Sequence, residues 1–418
     1  MIGRVVYVVE SPLSIRDYLR FGVGEWTTTG IAVEVWEVDA LFLRREQAPD
    51  VERPEACDIR RFSSMKELTA ACRRLEADAL VIMLSGVYVG EFASHRPMLV
   101  AIMKTQAVFT TVSAGQRPLS LPPEDRRGAT RSLARLGFVA RSLRTHEASL
   151  ADLTRKGIQR LRAAELVLMW RLTRKGVRPL DWIWAGTDTL SINPDLIGDR
   201  TRVRYIHTWD YDRILTRPPE TQGIHRGPVY LDAMGPLHPD VEALSMPIEV
   251  GDKQWFALVN EALTEIEHRL GEPVVIAAHP RAPRGLLESR YSGRDVRYGQ
   301  TAALVASASV VLATDPSTSL AFAAIFDRPA TVIRIPPFWW GHWLELQEYV
   351  DKLGLEVLDC RSIPKDWEPR EVDRDAYASF MSRYVKRPGT PDSSFWEVVR
   401  QDLSLTSPIH KSIEVSPR

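Results

Sequence analysis

The sequence predicts an α/β protein made of two Rossmann-like domains, and three observations carry that prediction. Between residues 228 and 333, three apolar runs of strand length (Val229 to Leu231, Val274 to Ala278 and Val310 to Ala313) alternate with helical segments. The first half of the chain repeats the same alternation of strand-like and helix-like stretches. At 418 residues and 44% hydrophobic content, the chain is too long for one ordinary domain and apolar enough to bury a large core.

From the start, Arg4 to Val9 is rich in β-formers, Ser14 to Trp26 has helical spacing, and Val33 to Val38 is a second strand followed by a charged loop through Glu55. Met65 to Leu75 reads as an amphipathic helix leading into a strand at Ala79 to Leu84. Pro97 to Thr105 reads as another leading into Val108 to Val112. The turn after the first strand is Glu10-Ser11-Pro12-Leu13, without the GxGxxG that a dinucleotide needs. Residues 117–162 are rich in Arg, among them Arg126, Arg127, Arg131, Arg135, Arg141 and Arg144, with Leu at helical spacing. Solvated helices are the simpler account of them, and a phosphate or glycan surface is the alternative. Helix continues over Leu161 to Arg174, and further strands follow at Trp182 to Ala185 and Val203 to His207. The last runs into HTWDYDR, which puts His207, Asp210 and Asp212 near a strand terminus.

Residues 214–228 concentrate Pro, Gly and Thr and form the best linker in the chain. The second alternating array runs to about residue 335, and then Trp339, Trp340 and Trp343 fall within five residues. They suit a core, an acceptor groove or a membrane interface, but Glu345 and Glu348 on the following helix weaken the membrane case. Helical stretches at Ala376 to Val385 and Ser394 to Leu405 close the chain. The expected division is a first Rossmann-like domain over 1–220, a second over 221–390, and a helix and tail over 391–418 that pack back on the first domain.

Lys plus Arg and Asp plus Glu number 54 each, so no global field draws the chain to nucleic acid. Cys57, Cys72 and Cys360 are odd in number and scattered, as free thiols in a reducing compartment would be. The opening MIGRVVYVVES reads as a first strand, and no apolar stretch reaches the roughly 18 residues of a spanning helix. A cytoplasmic protein is expected, at most peripherally associated with the inner face of a membrane.

In parallel sheets ligands bind beyond the carboxyl ends of the strands. Here those ends carry Asp232, then His279 and Arg281, then Asp315, Ser317, Thr318 and Ser319. In TDPSTS a helix begins at Thr318 or Ser319, a favourable place for an anion, although the same residues are also the preferred helix caps. His279 and Arg281 add anion-binding groups one strand earlier. Asp232 either orders its own loop or faces a reacting carbon as base or nucleophile. An anionic, nucleotide-linked ligand is expected. Glu10, Glu91 and Asp210 are the acceptor-side candidates.

The order LD, PLHPD, then HPR after an apolar strand, then TDPSTS resembles bacterial surface-polysaccharide glycosyltransferases of GT-B architecture, in which two Rossmann-like domains face each other across a cleft. The segment from LD to HPD is most similar to the retaining β-Kdo transferases, and more distantly the chain is similar to bacterial sialyltransferases. Those enzymes usually show two acidic residues before a Gly, where this chain has Leu231, Asp232, Ala233, Met234 and Gly235. The resemblance covers about 110 residues of the C-terminal half.

What the resemblance implies is transfer of an acidic sugar, Kdo, from a CMP donor to a glycan or glycolipid acceptor such as O antigen, capsule or lipopolysaccharide. Asp232 would be the nucleophile, His279 and Arg281 would contact the CMP phosphate or the sugar carboxylate, and Ser317, Thr318 and Ser319 would hold the phosphate. A carboxylate suits the oxocarbenium-like transition state of a keto sugar, and two inversions return the original configuration. CMP leaves as an anion that needs positive charge more than a proton. With no DxD cluster beside a His, the expected enzyme has no cofactor and is metal-independent. The alternatives are a sialyltransferase, a transferase of polyol phosphates from CDP donors, and a non-catalytic binding protein on the same frame.

Overall fold

The computed structural model describes residues 2–42, 53–54, 57–88, 92–115, 178–187, 192–238, 241, 248, 250–336 and 342–404. Among them are two parallel sheets. The first holds β1 (Arg4–Val9), β2 (Ala32–Glu37), β3 (Asp58–Arg61), β4 (Ala79–Met83), β5 (Val108–Ser113), β6 (Trp182–Ala185) and β7 (Arg202–Tyr205), in the order β3-β2-β1-β4-β5-β6-β7. The second holds β8 (Val229–Leu231), β9 (Val275–Ala277), β10 (Val296–Arg297), β11 (Val311–Ala313), β12 (Ala330–Arg334) and β13 (Glu356–Asp359), in the order β10-β9-β8-β11-β12-β13.

Central strands of both sheets are buried on two faces, which is why Ala-Leu-Val-Ile-Met and Val-Tyr-Leu read as unbroken apolar runs. Each sheet reverses its order at its first strand. β1 lies between β2 and β4, and β8 lies between β9 and β11. Crevices for ligands open at such reversals, outside the carboxyl ends. Glu10 and Asp232 stand directly after these two strands.

Several expected boundaries shift for local reasons. The helix expected over Ser14 to Trp26 is two helices, Ile15–Arg20 and Val23–Thr27, because Gly22 turns the chain at φ 59°. A Cβ there would fall inside the Trp396 indole. The charged stretch after β2 gives rise to the unforeseen strand β3, whose Asp58, Arg60 and Arg61 suit a sheet edge in contact with water. Likewise β10 and β13 are short edge strands with charged residues. The helix expected to begin at Pro97 starts at Phe92 and contains that proline. A helix runs Trp209–Thr216, so regular structure enters the expected linker and the loop proper is 217–228. The Arg-rich stretch of 117–162, the helix over 161–174, and Trp339 and Trp340 lie outside the described residues. Trp343 packs beside the second sheet's core with the Arg334 guanidinium 5.0 Å from its ring.

The chain then returns to the first sheet. Thr208 N–H donates to the Val385 carbonyl at 2.9 Å, and His207 bridges Lys386. Helix Phe395–Ser404 buries Phe395, Trp396, Val398 and Val399 among residues of β1, β2, β4 and β6. Trp396 Nε1 donates to the Arg20 carbonyl at 2.9 Å, Trp184 Nε1 to Asp402 at 3.1 Å, and Arg400 pairs with Glu25 at 2.6 Å. Among the described residues no helix is long and apolar enough to cross a membrane.

Candidate functional site

Asp232 ends β8 and is 4% exposed. The Tyr291 hydroxyl donates to its Oδ1 at 2.5 Å, Met234 N–H to the same oxygen at 3.0 Å, and His279 N–H to Oδ2 at 3.0 Å. The turn beyond it holds Met234 at φ 62° and Gly235 at φ 47°, and a Cβ on Gly235 would meet the Trp255 indole at 2.8 Å. Asp232 therefore does order its loop, and the same bonds fix the carboxylate at the reversal of the sheet. Burial pushes its pKa above the ordinary aspartate range. The bonds from Tyr291, His279 and Met234 oppose that rise, and nearby Asp315 adds to it.

His279 follows β9 on one side of β8, and Asp315 follows β11 on the other, so three of the expected residues do meet at neighbouring strand ends. The His279 ring stands edge to face against His238 at 5.0 Å. Arg281 N–H donates to His279 Nδ1 at 3.2 Å, which leaves Nε2 to carry the proton of the neutral ring. Asp315 is buried and accepts from Thr314 Oγ1 at 2.6 Å, and because that hydroxyl has one proton, the Tyr230 hydroxyl must be its donor at 2.6 Å.

Ser317 is a cap. Its Oγ accepts from Ser319 N–H at 3.3 Å and shares a proton with Ser319 Oγ at 2.7 Å, starting a 3-10 turn at Thr318–Leu320 that leads into helix Ala321–Ile325. Thr318 instead lines a crevice together with Ala114, Gly115, Thr208, Asp210 and Tyr349. The cavity is small, about 10 Å³ or room for one water, but its lining comes from both halves of the chain and includes both the acceptor-side candidate Asp210 and Thr318.

Glu10 sits in another cluster. Ser85 Oγ donates to it at 2.5 Å, and His95 Nε2 lies 3.1 Å from its other oxygen, with both partners buried. Glu91 lies outside the described residues.

Four contributors were not foreseen. Tyr291 and His238 are two; His238 lay in the PLHPD motif itself, whereas Tyr291 follows a surface helix and gives no sequence signal. The others are Arg16 and Arg20 on the first helix. The Arg20 guanidinium lies 4.3 Å from the Trp209 ring centroid, and burial lowers its pKa to about 10. Burial likewise lowers Arg16, and the charge of Arg281 pushes both down.

No protein-family model matches the chain, and no curated protein matches it. Solved structures do. CalG4, the calicheamicin glycosyltransferase, is 10% identical with a TM-score of 0.50, over 98% of this chain and 100% of that one. A UDP-GlcNAc 2-epimerase from Methanocaldococcus jannaschii is 12% identical with a TM-score of 0.43, over 97% of this chain and 100% of that one. The two parallel sheets with facing carboxyl edges are the GT-B fold.

Proposed function

We propose that this chain is a glycosyltransferase that moves an acidic sugar, Kdo, from a CMP donor to a surface-glycan acceptor with retention of configuration. The observation that carries the proposal is the meeting of Asp232, His279 and Asp315 at adjacent strand ends, with Thr318 and Asp210 lining a crevice between the sheets. The sequence similarity of these motifs to the β-Kdo transferases supplies the donor and the stereochemistry.

In this reaction the Asp232 carboxylate attacks the anomeric carbon of the donor, the bond to the CMP phosphate oxygen breaks, and the electron pair leaves with CMP. The acceptor hydroxyl then displaces the carboxylate as it loses its proton to a base on the acceptor side, for which Asp210 is the candidate. Tyr291, Met234 and His279 bind Asp232 at rest and hold it on the line of attack. His279, through Nε2–H, and Arg281 balance the charge that builds on the leaving phosphate, and Thr318 adds a hydroxyl. The enzyme works without a metal because these groups neutralise a single phosphate. Residues 1–220 take the acceptor and 221–390 the donor.

The test is to incubate the protein with CMP-Kdo, another CMP-linked acidic sugar, a CDP-polyol and a UDP-sugar, and to follow nucleotide release. Release confined to CMP-sugars supports the proposal. Release from the CDP-polyol alone moves the protein to polyol phosphate transfer, and release from none makes it a binding protein.

A further inference from the structure

The hydrogen bonds on Asp232 are unevenly shared between its two oxygens. Among the described residues Oδ1 accepts from the Tyr291 hydroxyl at 2.5 Å and from Met234 N–H at 3.0 Å, whereas Oδ2 accepts only from His279 N–H at 3.0 Å. An ionised carboxylate oxygen has room for about two donors. Oδ1 is therefore full, and Oδ2 keeps a lone pair for an incoming atom.

Much local structure goes into holding the one side-chain donor. Tyr291 is fully buried, with the Phe256 ring edge to face at 5.3 Å and the Tyr230 ring at 5.8 Å. Its carbonyl accepts from Arg294 N–H at 3.1 Å, which closes a turn over Ser292 at φ 52° and Gly293 at φ 80°. The turn returns the Arg294 side chain to helix Asp252–Leu270, where it donates to Asn260, Thr264 and Glu267, each at 2.8 Å. Both donors to Oδ1 thus stand at or beside a non-glycine residue in the left-handed region, Met234 and Ser292, a conformation that costs free energy. Strain of this kind persists where the surroundings fix it, and it gathers at functional sites.

We propose that Asp232 attacks through Oδ2 and that Tyr291, a positioning residue at Oδ1, governs the second half of the reaction, in which the carboxylate leaves the sugar. The inference rests on the reading of Asp232 as nucleophile and adds to it the reacting atom and a division between the two steps. In the first step Oδ2 bonds to the anomeric carbon and the bond to the CMP phosphate oxygen breaks, its electron pair leaving with CMP. The carboxylate becomes an ester with Oδ1 as its carbonyl oxygen, and the bonds from Tyr291 and Met234 weaken as the charge disappears. In the second step the acceptor oxygen bonds to the anomeric carbon, the bond from that carbon to Oδ2 breaks, and the electron pair returns to Asp232 while the acceptor proton leaves to a base. Charge reappears on the carboxylate, and donors already in place at Oδ1 meet it. Burial pushes the Tyr291 phenol well above its ordinary pKa, so its proton stays available. Without this donor Asp232 becomes a better nucleophile and a worse leaving group.

The experiment uses the full chain with CMP-Kdo and water as the acceptor. Single-turnover rapid quench follows CMP release and the mass of the adduct, and adduct separated from CMP-Kdo by gel filtration is then followed as water discharges it. In Tyr291→Phe, CMP release should stay within about threefold of wild type or quicken. Discharge should slow about tenfold or more, the rate equivalent of a hydrogen bond to a charged group. The acidic limb of CMP release should move to higher pH, because the ionised carboxylate has lost a donor. Wild type with 3-fluorotyrosine at 291, a more acidic phenol that keeps the bond, should discharge faster, and this protein carries the test if Tyr291→Phe does not fold. Equal slowing of both steps in Tyr291→Phe overturns the proposal and leaves Tyr291 a structural role only. Discharge at the wild-type rate in both altered proteins overturns it as well. If none of the three proteins forms an adduct, the double-displacement reading itself fails and takes the proposal with it, whereas adducts that form and discharge alike sink the proposal alone.

Discussion

His279 N–H donates to Asp232 Oδ2 at 3.0 Å, so the residue that follows β9 fixes the carboxylate that follows β8. A main-chain donor does this whatever the side chain at 279, and the imidazole stays available for a different task. The two residues can therefore be tested separately.

Replacing the imidazole should affect the nucleotide. His279→Ala keeps the N–H on Asp232 but removes Nε2–H, and CMP affinity should weaken by about 1.5–3 kcal/mol, the range for a hydrogen bond to a charged group. The thermal transition should change little. Calorimetry with unaltered CMP affinity removes the ring from the site.

In the proposed mechanism retention depends on Asp232. Wild type given CMP-Kdo without acceptor should gain the mass of one Kdo residue on the peptide that contains Asp232. Asp232→Asn should transfer no sugar while still binding CMP. Inverted product from wild type rules out the covalent route and points to a base on the acceptor side, while an active Asp232→Asn leaves the carboxylate with only its loop-ordering bonds.

Burial also makes Asp232 a source of pH dependence. Its folded pKa lies above the unfolded value of about 3.9, so between the two the native state holds more protons than the unfolded state. That contribution to stability is complete below the unfolded value and is lost as pH rises through the folded one. The stability of wild type relative to Asp232→Asn should therefore fall as pH rises from about 4 toward neutrality. The acidic limb of the pH–rate profile should lie above the ordinary aspartate value, since attack needs the ionised form. Parallel melting curves of the two proteins over that range contradict the assignment of the raised pKa.

The return of the last helix predicts a stability effect far from the chemistry. Trp396 is fully buried, edge to face on Tyr7 at 5.8 Å, with its N–H on the Arg20 carbonyl. Trp396→Ala should cost about 3–5 kcal/mol in urea unfolding. Gly22→Ala should destabilise as well, because it adds both a strained φ and a collision with the same indole. Wild-type stability in Gly22→Ala means the helix docks elsewhere.

Limited proteolysis checks the division between the two halves. If 217–228 is the linker, first cuts should fall there. Cuts confined to 229–333 contradict that boundary.

Much of this protein was legible in local pattern. Apolar runs such as Val229 to Leu231, ended by Asp232, already mark buried parallel strands and the edge where polar groups collect, because strand burial and turn chemistry are properties of a few adjacent residues. Gly22, the charged edge strand at Asp58–Arg61 and the capping role of Ser317 depended on neighbours that the local pattern does not contain. Only the tertiary structure decided that Tyr291 reaches Asp232 across 59 positions, that the Arg20 guanidinium lies over the Trp209 ring, and that Trp396 covers Gly22. Sheet order sets those meetings. β8 lies between β9 and β11, and the chain recrosses at Lys386, so residues far apart in sequence share one edge through topology, which short-range periodicity does not encode.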